Sequence, residues 1–251
     1  MGLFDRTGSR LATGPALLLA ADPGSVFLDT ARLYDPEVRH WRGRLVFSNG
    51  VLLFGPLTVT PELTQQAGLP AGVSVAWYAD AALQRSSARR SDAEKRADGE
   101  RLVRGLAARL GGIMHPALLQ PKLALLASVY SEQPLAAEQV IETLQPYAGN
   151  LTVEDARDDS YSLSGKSASF YTAYWSPGLY VASSSPPALG PLRKQRLHHW
   201  DLNTGTRADH APHELTLRVG EAALALARHS GGLALDMLGF RISRPEDVLP
   251  G

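Results

Sequence analysis

Apolar residues alternate between short strand-like runs and longer amphipathic stretches, and the two halves of the chain present them in a similar order. In the first half, residues 16–21 read as a buried strand. Ser25–Tyr34 reads as a short helix, with Val26, Leu28, Ala31 and Leu33 spread over its surface. Residues 44–48 and 51–54 flank Asn49-Gly50, the pair favoured where a two-residue hairpin needs positive φ at both central positions. Pro56 and Pro61 limit the sheet beyond that point. A strand over 73–79 then leads through a charged connection to a helix opening at Ser91. There Ser-Asp-Ala-Glu94 fits a capping box, in which hydroxyl and carboxylate satisfy amides that the helix leaves without partners. Leu102, Val103, Leu106, Ala107 and Leu110 recur at helical spacing, Gly111-Gly112 ends the helix, and 113–119 returns as a strand interrupted by Pro116.

The second half repeats this order. Residues 123–130 predict a strand, and Pro134 opens a helix whose Leu135, Ala137, Val140, Ile141 and Leu144 turn inward. Residues 151–153 begin a sheet segment, and 160–163 with 169–175 form a hairpin around Gly165-Lys166. After a proline-rich loop over 176–213, the pattern predicts a strand at 214–219, a helix at 221–230 and a strand at 233–242. The helices ending at Ala108-Arg109 and Ala227-Arg228 run into Gly111-Gly112 and Gly231-Gly232, so the halves look like one unit stated twice. The expected fold class is α+β: two tandem pseudo-symmetric ferredoxin-like (split βαβ) units, 14–120 and 121–245, with helices on one face of a largely antiparallel sheet.

Composition narrows the chemistry. The chain has 251 residues, of which 25 are Lys or Arg and 25 Asp or Glu, so no global field steers it to nucleic acid or an anionic membrane. Cysteine is absent, which excludes disulfides, thiolate zinc sites and cysteine nucleophiles. Only Lys95, Lys122, Lys166 and Lys194 are lysines; the arginine bias, with abundant Ala, Leu, Gly and Pro, is that of a high-GC genome and points to a bacterial source. No run is long and apolar enough for a membrane span, and the stretch around Arg6, Arg10 and residues 15–21 makes a poor secretory signal. A cytoplasmic protein is expected.

Several polar clusters suggest chemistry, each with a plainer structural reading. His198, His199, Asp201, His210 and His213 offer imidazole and carboxylate ligands for a divalent metal and hence a metal-dependent hydrolase, although the spacing fits no standard motif. His213-Glu-Leu-Thr216 fails the two-residue spacing that two-histidine phosphodiesterases need, because a separation of three puts His and Thr on opposite faces of a strand. Ser164-Gly-Lys-Ser167 lacks the upstream glycine of a phosphate loop, and Glu154, Asp155, Asp158 and Asp159 lack the EF-hand spacing. Arg85, Arg89, Arg90, Lys95 and Arg96 form one basic segment and Arg193, Lys194 and Arg196 another, two patches for a phosphate backbone; Asp92, Glu94, Asp98 and Glu100 interleave the first. Arg42-Gly43 starts like an RNA-recognition strand but without the aromatic residues that stack bases. Tyr171, Trp175, Tyr180 and Trp200 supply aromatic anchors for a protein partner.

The stretch from Leu125 to Phe240 places Trp200 ahead of His210-x-x-His213, followed by an alanine-rich helix and a glycine-led last strand. In this it resembles a family of bacterial domains of unknown function, departing from that pattern where Phe240 stands in place of a tryptophan. The resemblance implies the fold and no activity. With no nucleophile–base set and no cofactor loop in the sequence, a non-enzymatic protein-interaction or regulatory module without cofactor is expected, with nucleic-acid binding and then metal-dependent hydrolysis as the alternatives.

Overall fold

The computed structural model describes residues 3–80, 91–117, 125–158, 160–165, 170–175, 186–204 and 212–248. The chain divides into two units, Met1–Leu119 and Gln120–Gly251, and each holds one six-stranded sheet. The fold is mixed α+β, and the strand pairings of the described residues are antiparallel.

The first unit runs α1 (Leu3–Thr13), β1 (Ala16–Leu19), α2 (Ser25–Tyr34), β2 (Arg39–His40), β3 (Arg44–Val46), β4 (Leu52–Thr58), α3 (Pro61–Ala67), β5 (Val75–Asp80), α4 (Asp92–Leu110) and β6 (Ile113–His115). Its sheet order is β2-β3-β4-β5-β1-β6. Alternation along the strands sends Leu17, Leu53, Trp77 and Ala79 to one face, where Phe27 of α2 stacks on Trp77 with centroids 4.3 Å apart. Ala16, Leu18 and Ala76 point to the other face and pack with Leu11 of α1 and with Ala67 and Leu69 at the end of α3. Helices therefore lie on both faces of this sheet, correcting the expectation of one helical face. The hydrophobic pattern did not separate α1 and α3 from loop. The signal for α3 was local: Thr60 caps it by accepting from the Leu63 amide at 3.3 Å, with Pro61 at the first helical position.

The second unit runs β7 (Leu125–Ser131), α5 (Ala137–Ala148), β8 (Leu151–Arg157), β9 (Ser160–Gly165), β10 (Phe170–Trp175), β11 (His198–Thr204), α6 (His213–Ser230) and β12 (Leu233–Asp236). Its sheet order is β12-β7-β11-β10-β9-β8. In both units the first strand thus sits between the last strand and the end of a four-strand meander. A core of Leu126, Val129, Val140, Leu144, Leu163, Trp200, Leu202, Val219 and Leu226 joins α5 and α6 to one face. A 3-10 segment, Pro187–Lys194, kinked at Gly190, places Ala188 and Leu189 against Tyr130 and Leu235.

Two elements of this unit correct the sequence reading. Residues 214–219 are not a strand but the opening turns of the 18-residue α6. Leu215, Leu217 and Val219 alternate, yet Val219, Ala222, Ala223 and Leu226 continue at helical spacing and are fully buried, and Arg218 pairs with Glu214 at 2.8 Å across one turn. Conversely, β11 lies inside the stretch read as a loop. Its His199, Asp201 and Asn203 face away from the helices, so its polar residues are one side of a half-buried strand. Helix α5 also begins at Ala137, three residues after Pro134, with the Ala136 amide bonded to Gln139 at 2.9 Å.

The paired glycines have a common role. Gly111 and Gly231 both adopt φ 65° as left-handed helix caps, a conformation that costs a residue with a Cβ. The glycines after them let the chain pass close to the first strand: a Cβ at Gly112 would lie 2.7 Å from the Leu18 carbonyl oxygen, and one at Gly232 would collide with that of Tyr130.

Candidate functional site

The two-residue turn that the sequence suggests after β3, at Asn49-Gly50, is found before it, at Arg42-Gly43. Asn49-Gly50 does not form a two-residue loop. Phe47 and Val51 close a three-residue turn, through the Phe47 amide on the Val51 carbonyl at 3.0 Å, and only Gly50 takes positive φ. Asn49 turns its amide inward instead, donating to Tyr34 Oη and Asp98 Oδ2, each at 3.2 Å. Both partners are buried, and burial first, then the Asp98 charge, raises the Tyr34 hydroxyl pKa far above its usual range. The tight hairpin lies one turn earlier. Trp41 and Arg44 exchange backbone bonds of 2.8 and 3.3 Å around Arg42 (φ 48°) and Gly43 (φ 70°), a type I′ geometry.

Arg42 is the one non-glycine residue at positive φ among the described residues, a conformation that normally selects Asn or Gly. Its guanidinium lies 4.9 Å from the Trp41 ring centroid, and that of Arg44 lies 4.2 Å from the same ring and 5.4 Å from Phe54. Phe54 in turn stacks on Tyr78, 5.1 Å and 8° away, since the register pairs Arg44 with Phe54 and Phe54 with Tyr78. Tyr78, Phe54, Arg44 and Trp41 thus form a row in which two stacked rings are followed by a cation and an indole 49% exposed, with Arg42 also against that indole. Arg44 Nε is sealed from solvent with no hydrogen-bond partner, and Arg39 and His40 on the adjoining edge strand are exposed. Charge follows the same division: the first unit carries fourteen Lys and Arg against eleven Asp and Glu, the second the reverse.

The second unit uses its aromatics differently. Trp200, expected at an interaction surface, is fully buried in the core. Its indole N–H donates to Tyr161 Oη at 3.0 Å, and that hydroxyl donates to the Leu135 carbonyl at 3.1 Å. Desolvation raises the Tyr161 pKa well above its usual range, against the Trp200 hydrogen bond. Tyr174 stacks on Tyr161 at 4.6 Å and shares a 2.7 Å hydrogen bond with His198 Nδ1, and burial lowers the His198 pKa. The strands of Tyr171 and Trp175 are described but not their side chains, and Tyr180 lies outside the described residues.

The histidines expected to share a metal are separated. His198 faces Tyr174, whereas His199 faces the opposite side of β11, stacked on Tyr130 at 4.5 Å with Nε2 2.9 Å from Asp201 Oδ1. Ser128 donates to the same Asp201 oxygen at 2.7 Å. Ser128 thus gives its proton to the carboxylate, so that proton points away from the imidazole that a nucleophile would need. His213 stands at the start of α6, and His210 lies outside the described residues. Among the described residues no group of three His, Asp or Glu comes together.

Of the expected basic patches, Arg85, Arg89 and Arg90 lie outside the described residues. Arg96 pairs with Glu100 at 3.0 Å along α4, as interleaved charges on a helix do. Lys194 and Arg196 are exposed at and just beyond the end of the 3-10 segment, with Arg193 half-buried beside them. The cationic hairpin at Trp41 is partly visible in Arg42-Gly43; its aromatic partners come from two strands and from the turn itself, which local spacing does not align. No described helix is long and apolar enough to cross a membrane. No protein-family model, curated protein or solved structure matches the chain.

Proposed function

We propose that the chain is a non-enzymatic binding protein of two pseudo-symmetric ferredoxin-like units, and that its first unit binds single-stranded nucleic acid at the Trp41 hairpin. The shared strand order and the two glycine-pair junctions support the pseudo-symmetry. The observation that carries the binding reading is the exposed indole flanked by two guanidinium groups on a turn where one of the arginines occupies a disfavoured φ. An unpaired base offers a π face to Trp41, and its phosphates offer anions to Arg39, Arg42 and Arg44. Duplexes hide the base faces, so single strands are preferred. The burial of Trp200 removes one of the four anchors of the protein-contact reading.

The test is fluorescence anisotropy with a labelled 12-nucleotide oligouridine and oligothymidine, with the matching duplex as control. Three neutralised phosphates give a slope of about −2 in log K against log salt, at ~0.7 per phosphate. Trp41→Ala weakens binding about tenfold, consistent with ~1–3 kcal/mol per stacked base. Absence of binding at low salt, or binding indifferent to Trp41→Ala, overturns the proposal. A protein partner captured through the hairpin in nuclease-treated, high-salt lysate, with no oligonucleotide binding, would replace it by the protein-contact reading.

A further inference from the structure

The Asn49-Gly50 turn brings together a side-chain amide and a backbone nitrogen that can react with it. Because glycine has no side chain, its nitrogen is the least hindered nucleophile that can follow an asparagine. In an open chain that nitrogen attacks Asn49 Cγ, the Cγ–Nδ2 bond breaks, and ammonia leaves with the proton that the nitrogen gives up. Water then opens the succinimide at either carbonyl, which leaves aspartate or an isoaspartate whose backbone runs through Cγ. Besides water, the reaction needs a free Gly50 N–H and an Asn49 side chain able to swing towards it.

The fold withholds both of these. The Gly50 amide donates to the Phe47 carbonyl at 2.8 Å. Asn49 is bound at both ends of its side chain: Oδ1 accepts from the Val51 amide at 3.1 Å, and Nδ2 donates to Tyr34 Oη and Asp98 Oδ2. The flanking positions are fixed as well, since Phe47 and Val51 are buried and the Ser48 amide donates to the buried carboxylate of Asp35. Tyr34 and Asp35 stand at the end of α2 and Asp98 on α4, so the turn keeps this geometry only while both helices are docked.

The same contacts decide what the modification does. An aspartate at position 49 has no N–H to give Tyr34 or Asp98, and it sets a second carboxylate against that of Asp98, which is itself buried. Isoaspartate also lengthens the backbone inside a turn closed at Phe47 and Val51. Neither product fits the closed first unit.

We propose that Asn49 is a deamidation site controlled by the docking of α2 and α4. The closed first unit protects it, opening of the unit exposes it, and the modified chain closes less stably than before. Refolding cannot reverse the change, so the modification records that the unit has opened. The site is independent of nucleic-acid binding at the Trp41 hairpin.

The test is incubation of the whole protein in mildly alkaline buffer, with and without unfolding concentrations of guanidinium chloride, followed by peptide mass spectrometry for loss of the Asn49 amide. Deamidation is expected to be slower by about tenfold or more without denaturant, because the reaction then runs only through the open fraction. Tyr34→Phe removes one acceptor of the Asn49 amide and keeps the ring beside Phe47, so it speeds the reaction severalfold in the native protein and leaves the rate in guanidinium unchanged. Asn49→Asp lowers the unfolding midpoint more than Asn49→Ala, since both lose the two donors and only aspartate adds a charge beside Asp98. Equal rates with and without denaturant, no reaction at Asn49 in the unfolded chain, a native rate indifferent to Tyr34→Phe, or an Asn49→Asp variant as stable as Asn49→Ala would each overturn the proposal.

Discussion

The two sheets share one strand order and spend their aromatic residues in opposite ways. In the second unit Tyr161, Tyr174 and Trp200 meet across β9, β10 and β11, close a hydrogen-bond chain onto the Leu135 carbonyl, and leave Trp200 without exposed surface. In the first unit Tyr78, Phe54 and Trp41 run outward to the sheet edge, and the last ring is half exposed and flanked by arginines. A buried cluster stabilises because rings and polar tips are all accounted for inside the protein. The exposed end of that row, Trp41 with Arg42, has little to contribute to folding, as the proposed binding role requires.

The largest effect expected from this contrast is Trp200→Ala. It removes a fully buried indole and leaves Tyr161 Oη without its donor, costing ~3–5 kcal/mol of second-unit stability in denaturant unfolding. Trp41→Ala in the same assay changes stability by less than ~0.5 kcal/mol and acts on binding instead. Equal costs for the two tryptophans would break the comparison.

The glycine-pair junctions sharpen it next. Gly232→Ala is expected to cost ~1–3 kcal/mol, because its new methyl meets the Tyr130 backbone carbonyl, which cannot move without disturbing β7. Gly112→Ala should cost less, since the nearest obstacle is the end of the Leu19 side chain, although the Leu18 carbonyl lies 2.7 Å away. Thermal melts of the two variants read the difference directly.

A smaller and opposite effect is expected at Arg42. Arg42→Asn places at φ 48° the residue type that tolerates it best, raising stability by ~0.5 kcal/mol while weakening oligonucleotide binding severalfold. A variant that loses stability would show that the arginine is there for folding.

The smallest effect concerns pH. Burial depresses the His198 pKa below its unfolded value of about 6.5, so the unfolded chain binds the extra proton first. The stability contributed by the neutral ring is present in full above that unfolded value. It is lost as pH falls through the folded pKa. Unfolding midpoints measured from pH 7.5 to 5 should fall less in His198→Gln than in the parent chain, and an unchanged slope would remove His198 from the balance.

Legibility in the sequence followed the range of the forces involved. The Ser91 capping box is present as expected, with the Ser91 amide on Glu94 at 2.7 Å and the Glu94 amide on Ser91 Oγ at 3.3 Å, because it involves residues three apart. The buried face of α4, with Leu102, Val103 and Leu106 fully covered, was equally plain from helical spacing. The start of α6 was misread because alternation and helical periodicity coexist over a short window, and the burial of Val219 and Ala222 decided between them. Asn49-Gly50 was recognised as a turn but not its type, since Tyr34 and Asp98, distant in sequence, draw the Asn49 side chain inward.

The sequence by itself determined the strand and helix content of most of the chain, the two glycine-pair junctions and the absence of thiol chemistry, all of which depend on local periodicity, backbone freedom or composition. Tertiary structure alone decided that Trp200 is core and Trp41 is surface, that His198 and His199 face opposite ways, and that Tyr34 and Asp98 meet at Asn49. Those outcomes depend on strand register and on which face each helix covers, and register is set by packing across the whole sheet rather than by neighbouring residues.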